Sequence, residues 1–207
     1  MLRKYLINSK YFYTPTLSQR VTLRFDLNHV NSILKPFVRL HSLPWNVRFL
    51  HTKFNIENNY PHTHGDTIFF PSTFFQMSKS ERIKLLIHEK IHVYQRYHPI
   101  PYHKIILHHF DLQVEQLLDT HTNYPNMRQN PDNNQLLYSD HGQYTLPLFR
   151  KNPKTIADVE FVDFHTHNKE TKYSKLNKNE HPNETFAYYL TDSILEKNVP
   201  TFIQTFI

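Results

Sequence analysis

The chain has no cysteine, and only two of its 207 residues are glycine. Without cysteine there are no disulfides, thiolate metal ligands or thiol nucleophiles, which suits a reducing compartment. Alanine is almost missing, present only as Ala157 and Ala187. No stretch approaches the ~20 consecutive apolar residues of a membrane span. The opening residues place Arg3, Lys4 and Lys10 among short apolar pieces, without the continuous apolar run of a signal peptide. These absences predict a soluble protein, intracellular or virion-associated, with no membrane partner. Asn183-Glu184-Thr185 spells a glycosylation acceptor, which carries no weight without a secretion signal.

What is present points to a folded domain. Hydrophobic residues make up 39% and charged residues 20%, enough apolar content for a sizeable core. Asn, Lys, Tyr, Phe and Ile abound, a bias that AT-rich codons produce; it marks the genome before it marks a function. The length predicts one compact unit, divided at most into an N-terminal segment with one helix (1–44) and a main domain (45–207). The net charge of +6 permits a polyanionic partner. Yet the densest basic run, Lys169, Lys172, Lys175 and Lys178, is interleaved with polar residues and Glu170, as in a solvated loop. Nucleic acid is therefore not the favoured partner, and nothing in the sequence sets an oligomeric state.

Local signals outline the elements. A helix is expected over Leu27 to Leu40, then a strand over Trp45 to Leu50. Thr67 to Phe70 reads as a second strand, stopped by Pro71. Ser78-Lys79-Ser80-Glu81 has the capping-box pattern, and Pro99 and Pro101 forbid helix beyond about Tyr97. Another helix is expected over His103 to Thr120. Short strands follow at Leu136 to Tyr138, Tyr144 to Phe149 and Val159 to Phe164. A last helix should open at His181-Pro182 and run to about Glu196.

Within the capped helix stands His88-Glu89-Lys90-Ile91-His92, the HExxH pattern. Two imidazoles four residues apart share a helix face and can ligate one ion, with the intervening glutamate beside the ion's open position as general base. With 16 histidines and nine glutamates, such a match arises by chance about once in twenty chains of this composition, so context must support it. A helical wheel at about 100° per residue groups Ile83, Leu86, Ile87, Ile91, Tyr94 and Tyr97 on one side. His88 and His92 fall opposite. That predicts a helix with its back in the core and its front on a cleft. Lys90 interrupts the apolar side, where its stem could snorkel outward.

A catalytic zinc takes three protein ligands and a water. His98 stands six residues past His92, but Gln95 occupies the place where a turn-forming glycine would be needed. Asp111 and Glu115, expected on the next helix, are a second possibility. Glu184 ranks first, because it lies in the first turn of the last helix with Ala187 on its face to permit close approach. The paired histidines at 62/64, 108/109 and 165/167 are more simply surface or hydrogen-bonded residues.

HExxH followed by a distant Glu-x-x-Ala helix resembles the gluzincin class of zinc metallopeptidases. The stretch from His62 to Pro71, with the HExxH helix and Gln95-Arg96, is similar to HExxH proteins of large DNA viruses and some microbes. The resemblance covers roughly residues 45 to 195 and is specific at the two helices. It implies a zincin-like α+β fold: a small mixed or antiparallel sheet on a central HExxH helix, with a C-terminal glutamate-bearing helix. It also implies one Zn2+ per chain on His88, His92 and Glu184, a peptide or protein substrate, and Glu89 as base. Thr67, Ile68, Phe69 and Phe70 become the expected edge strand for an extended peptide. Tyr188, one turn beyond Glu184, is the first candidate oxyanion donor, with His181 and His141 as alternatives. Lys169 to Glu180 is a candidate lid. A non-catalytic zinc-stabilised protein is the competing expectation.

Overall fold

The computed structural model describes residues 6, 8–117, 126–128, 136–139, 144–153, 158–164 and 181–207, and its helices and small sheets define an α+β chain. Helix α1 (Leu17–Leu34) starts at a reciprocal cap. Thr16 Oγ1 accepts from the Gln19 N–H at 3.3 Å, and Gln19 Oε1 accepts from the Thr16 N–H at 2.8 Å. Those bonds satisfy first-turn donors that would otherwise lack partners. The helix expected from Leu27 thus begins earlier, at a Thr-x-x-Gln cap that opens a segment of weak apolar periodicity. It ends before Pro36, which has no N–H for the ladder. A short helix α2 (Val38–Ser42) follows.

The chain divides into two units, residues 1–94 with 190–205 and 207, and residues 95–189 with 206. Residues 1–44 belong with the first.

The first unit contains strands β1 (Asn46–Leu50), β2 (His62–His64) and β3 (Thr67–Pro71), in the order β1-β3-β2. β1 runs parallel to β3 and β2 antiparallel to it. β2 and β3 are joined through Gly65, whose φ of +61° lies in the left-handed region where a Cβ is strained. Ile68, Phe69 and Phe70 are all buried, the pattern of a strand covered on both faces. Phe70 packs on Phe74 (4.6 Å between centroids), while Phe69 gathers Phe12 and Leu50 on the opposite face.

This arrangement corrects one expectation. Thr67, Ile68, Phe69 and Phe70 form the central strand, not an edge. Thr67 to Phe69 are paired to β1 on one side and β2 on the other, which removes the open backbone that strand addition requires.

Helix α3 (Lys79–Tyr97) begins at the expected box: Glu81 Oε2 accepts from the Ser78 N–H at 2.8 Å, and Ser78 Oγ accepts from the Glu81 N–H at 3.3 Å. Those bonds lower the Glu81 pKa. The unit closes with the end of helix α5 (Pro182–Leu195) and helix α6 (Thr201–Gln204).

The second unit holds helix α4 (Pro99–Phe110), two antiparallel ribbons and the start of α5. Strand β4 (Gln113–Leu117) pairs with β5 (Leu136–Ser139), and β6 (Tyr144–Phe149) with β7 (Val159–Phe164). Tyr102 and Phe110 of α4 pack on Phe186, at 5.4 and 6.2 Å. α4 ends at Phe110 because Asp111 adopts the left-handed conformation (φ 57°), a state aspartate tolerates better than most residues. The helix expected to reach Thr120 is therefore shorter, and Glu115 falls in a strand. Both unit boundaries fall inside helices, α3 after Tyr94 and α5 after Tyr189, so each helix contributes to both units.

Candidate metal centre

The HExxH residues lie in the middle of α3, where burial is most complete. His88, Glu89 and His92 are buried, as are Leu86, Ile87, Ile91 and Tyr94. Burial thus extends around the helix at this level, over the face of the two histidines as well as over the apolar side. Within the apolar stripe, Tyr97 at its end is the exposed member.

Lys90 departs furthest from expectation, since its side chain is entirely buried instead of reaching water. Its ammonium donates to the His41 carbonyl at 3.1 Å and sits 4.7 Å over the Trp45 ring. Burial pushes its pKa down to about 8. Burial likewise pushes Tyr94 up to about 12, against an opposing pull from Arg39. Near the start of the helix, Arg82 is held by Asp26 of α1, with Nε to Oδ2 at 2.6 Å.

The two imidazoles face one another. Their Nε2 atoms are 3.1 Å apart, and the ring planes meet at 81°. Two nitrogens bound to one tetrahedral zinc at about 2.0–2.1 Å stand about 3.3 Å apart, so the pair has the bite of a chelate. A hydrogen bond between a donor ring and an acceptor ring explains the same distance.

Glu184 joins them. The ligand atoms of His88, His92 and Glu184 all lie within 4.8 Å of one another, and this three-residue set could hold a metal ion. Two imidazoles and a carboxylate are a donor set suited to zinc and to several other divalent ions. Asp111, exposed at the end of α4, and His98, at the break between α3 and α4, are not in the set.

Glu184 owes its place to the start of α5. Pro182 opens the helix, and the His181 carbonyl accepts from the Glu184 N–H at 2.9 Å. The preceding residue is held from three directions. Gln95 Nε2 donates to the Asn183 carbonyl at 2.9 Å, and the Tyr102 hydroxyl donates to Asn183 Oδ1 at 3.0 Å. The Asn183 N–H donates to His181 Nδ1 at 3.1 Å. Ala187, Phe186 and Leu190 are buried, while Tyr188, one turn beyond Glu184, is 49% exposed and so not a core residue.

Other expected positions have plainer surroundings. His62 shares a hydrogen bond with the Tyr60 carbonyl (3.1 Å) and stacks on Phe69. His109 packs against Phe110 and Tyr189. His181 is engaged by Asn183, while His141, His165, His167 and the 169–180 lid candidate lie outside the described residues. Sequence reasoning missed Asn183, Gln95 and Tyr102; the adjacency of Asn183 to Glu184 was the one signal available.

Comparison of the chain with protein-family models, curated proteins and solved structures gave no match. Among the described residues, no helix is long and apolar enough to cross a membrane.

Proposed function

We propose that the protein is a zinc-dependent metallopeptidase of zincin-like architecture, with one ion held by His88, His92 and Glu184. The observation that carries this reading is the convergence of those three ligands, two of them flanking a glutamate in HExxH spacing. A bound zinc supplies Lewis acidity and a lowered pKa for its water. Glu89, adjacent to His88 and buried, accepts a proton at its carboxylate and returns it to the leaving amine. Tyr188, on the same helix as Glu184 and open to solvent, donates a hydrogen bond to the carbonyl oxygen as charge develops there. The substrate is a peptide or protein.

The test is Glu89→Gln. The variant should hold about one zinc per chain, like the parent, while cleavage of a peptide library falls by roughly 100-fold to 10,000-fold. A zinc-loaded parent that cleaves nothing in the library would refute the peptidase reading.

One observation favours a second reading, a metal-stabilised protein without catalysis: His88 and His92 are 6% and 1% exposed, so an ion held there would tie together buried side chains. On that reading Glu89→Gln changes nothing measurable, while His92→Ala lowers the melting temperature.

A further inference from the structure

We infer that Gln95, Tyr102 and Asn183 are positioning residues that set Glu184 against the two imidazoles. The inference rests on the reading of His88, His92 and Glu184 as a metal site. Gln95 lies three residues beyond His92 and seven beyond His88, so it projects from the same face of α3, one and two turns along. Its side-chain N–H is bonded to the carbonyl of the residue immediately before Glu184. The helix bearing two ligands thus grips the backbone next to the third. Tyr102, from α4, grips the side chain of that same residue.

Burial makes these bonds consequential. Gln95, Tyr102 and Asn183 are 5%, 1% and 2% exposed, so water cannot replace a lost partner at low cost. His181 Nδ1 accepts the Asn183 N–H, which satisfies one of the first-turn donors of α5. The start of α5 is thus held by bonds between protein groups, and the residue next to Glu184 is the one they hold. Groups that orient a metal ligand typically govern affinity by about 10-fold to 100-fold.

The test is zinc affinity by chelator competition on the full chain, with cobalt absorption as a report of ligand geometry. Tyr102→Phe deletes one hydroxyl and keeps the ring against Phe186; Gln95→Leu deletes the other donor. Each should weaken zinc about tenfold or more and shift the cobalt spectrum, with metal-free unfolding still cooperative. Asn183→Asp, which keeps an acceptor for Tyr102, should stay closer to the parent than Asn183→Ala. Parent-like affinity and spectrum in both Tyr102→Phe and Gln95→Leu overturn the inference. Should Gln95→Leu fail to fold, Tyr102→Phe and the Asn183 pair decide. Glu184→Gln separates the two levels of argument: if it binds zinc as tightly as the parent, the metal site itself is wrong, and the positioning role falls with it.

Discussion

His88 and His92 bring their Nε2 atoms to 3.1 Å, close to the separation that two nitrogen ligands of one ion require. A ligand that binds only the folded state stabilises it by RT ln(1 + [L]/Kd). Free zinc at 1,000 times its Kd should add about 4 kcal/mol. The measurement is thermal or urea unfolding with zinc and with a chelator. An identical transition in both would mean that the folded chain binds no zinc there. His92→Ala should abolish the difference.

Tyr188 offers a separate test, because its ring is half exposed and little of the core depends on it. Tyr188→Phe removes only the hydroxyl, so stability should change by no more than about 0.5 kcal/mol. If that hydroxyl meets the developing oxyanion, kcat should fall by roughly 100-fold with KM little changed. A rise in KM at constant kcat would instead make Tyr188 a substrate-binding residue.

The elements legible in the sequence are those whose cause is local. The limits of α3 follow from the Ser78–Glu81 box and Pro99, and β6 and β7 are short apolar-rich runs set off by polar turns. The metal-ligand candidates were legible for the same reason, since His88 and His92 sit within one turn and Glu184 opens a proline-marked helix. What depends on distant partners was not legible. β3 looks like any short apolar strand; its central place is set by β2, three residues long and too polar to read as a strand. Lys90 looks like a snorkelling residue until His41 and Trp45 close over it. Asp111 looks helical until its backbone turns left-handed and ends α4.

Lys90 and Tyr94 should give the protein an unusual alkaline profile. Lys90 titrates at about 8 when folded and near its ordinary 10.5 when unfolded. Between those values the unfolded chain holds the proton that the folded chain has lost, so stability rises with pH. The whole shift corresponds to about 3 kcal/mol. Tyr94 acts in the opposite sense above pH 10: folded, it keeps its proton up to about 12, so stability falls as pH climbs further. Urea midpoints in chelator should therefore increase from pH 8 to 10 and then turn over. Lys90→Met should flatten the rise. A parent curve that declines steadily from pH 8 would contradict the burial of an ammonium at this position.

Asp26 and Arg82 tie α1 to α3 through a buried ion pair, with side chains 2% and 11% exposed. Arg82 also donates to the Met77 carbonyl at 2.6 Å, beside the cap of α3, so the pair anchors the start of the helix that carries the ligands. Removing one member leaves the other charged and desolvated, which costs about 3–5 kcal/mol. Asp26→Ala should therefore be among the more damaging single substitutions outside the metal centre. Replacing both charges at once is different, because neither is then stranded: Asp26→Leu with Arg82→Met should lose far less than the two single changes combined. The urea midpoints of the two single variants and the double variant form the cycle. Additive losses would show that the two groups act independently, and the contact would then contribute nothing to holding α1 against the ligand-bearing helix.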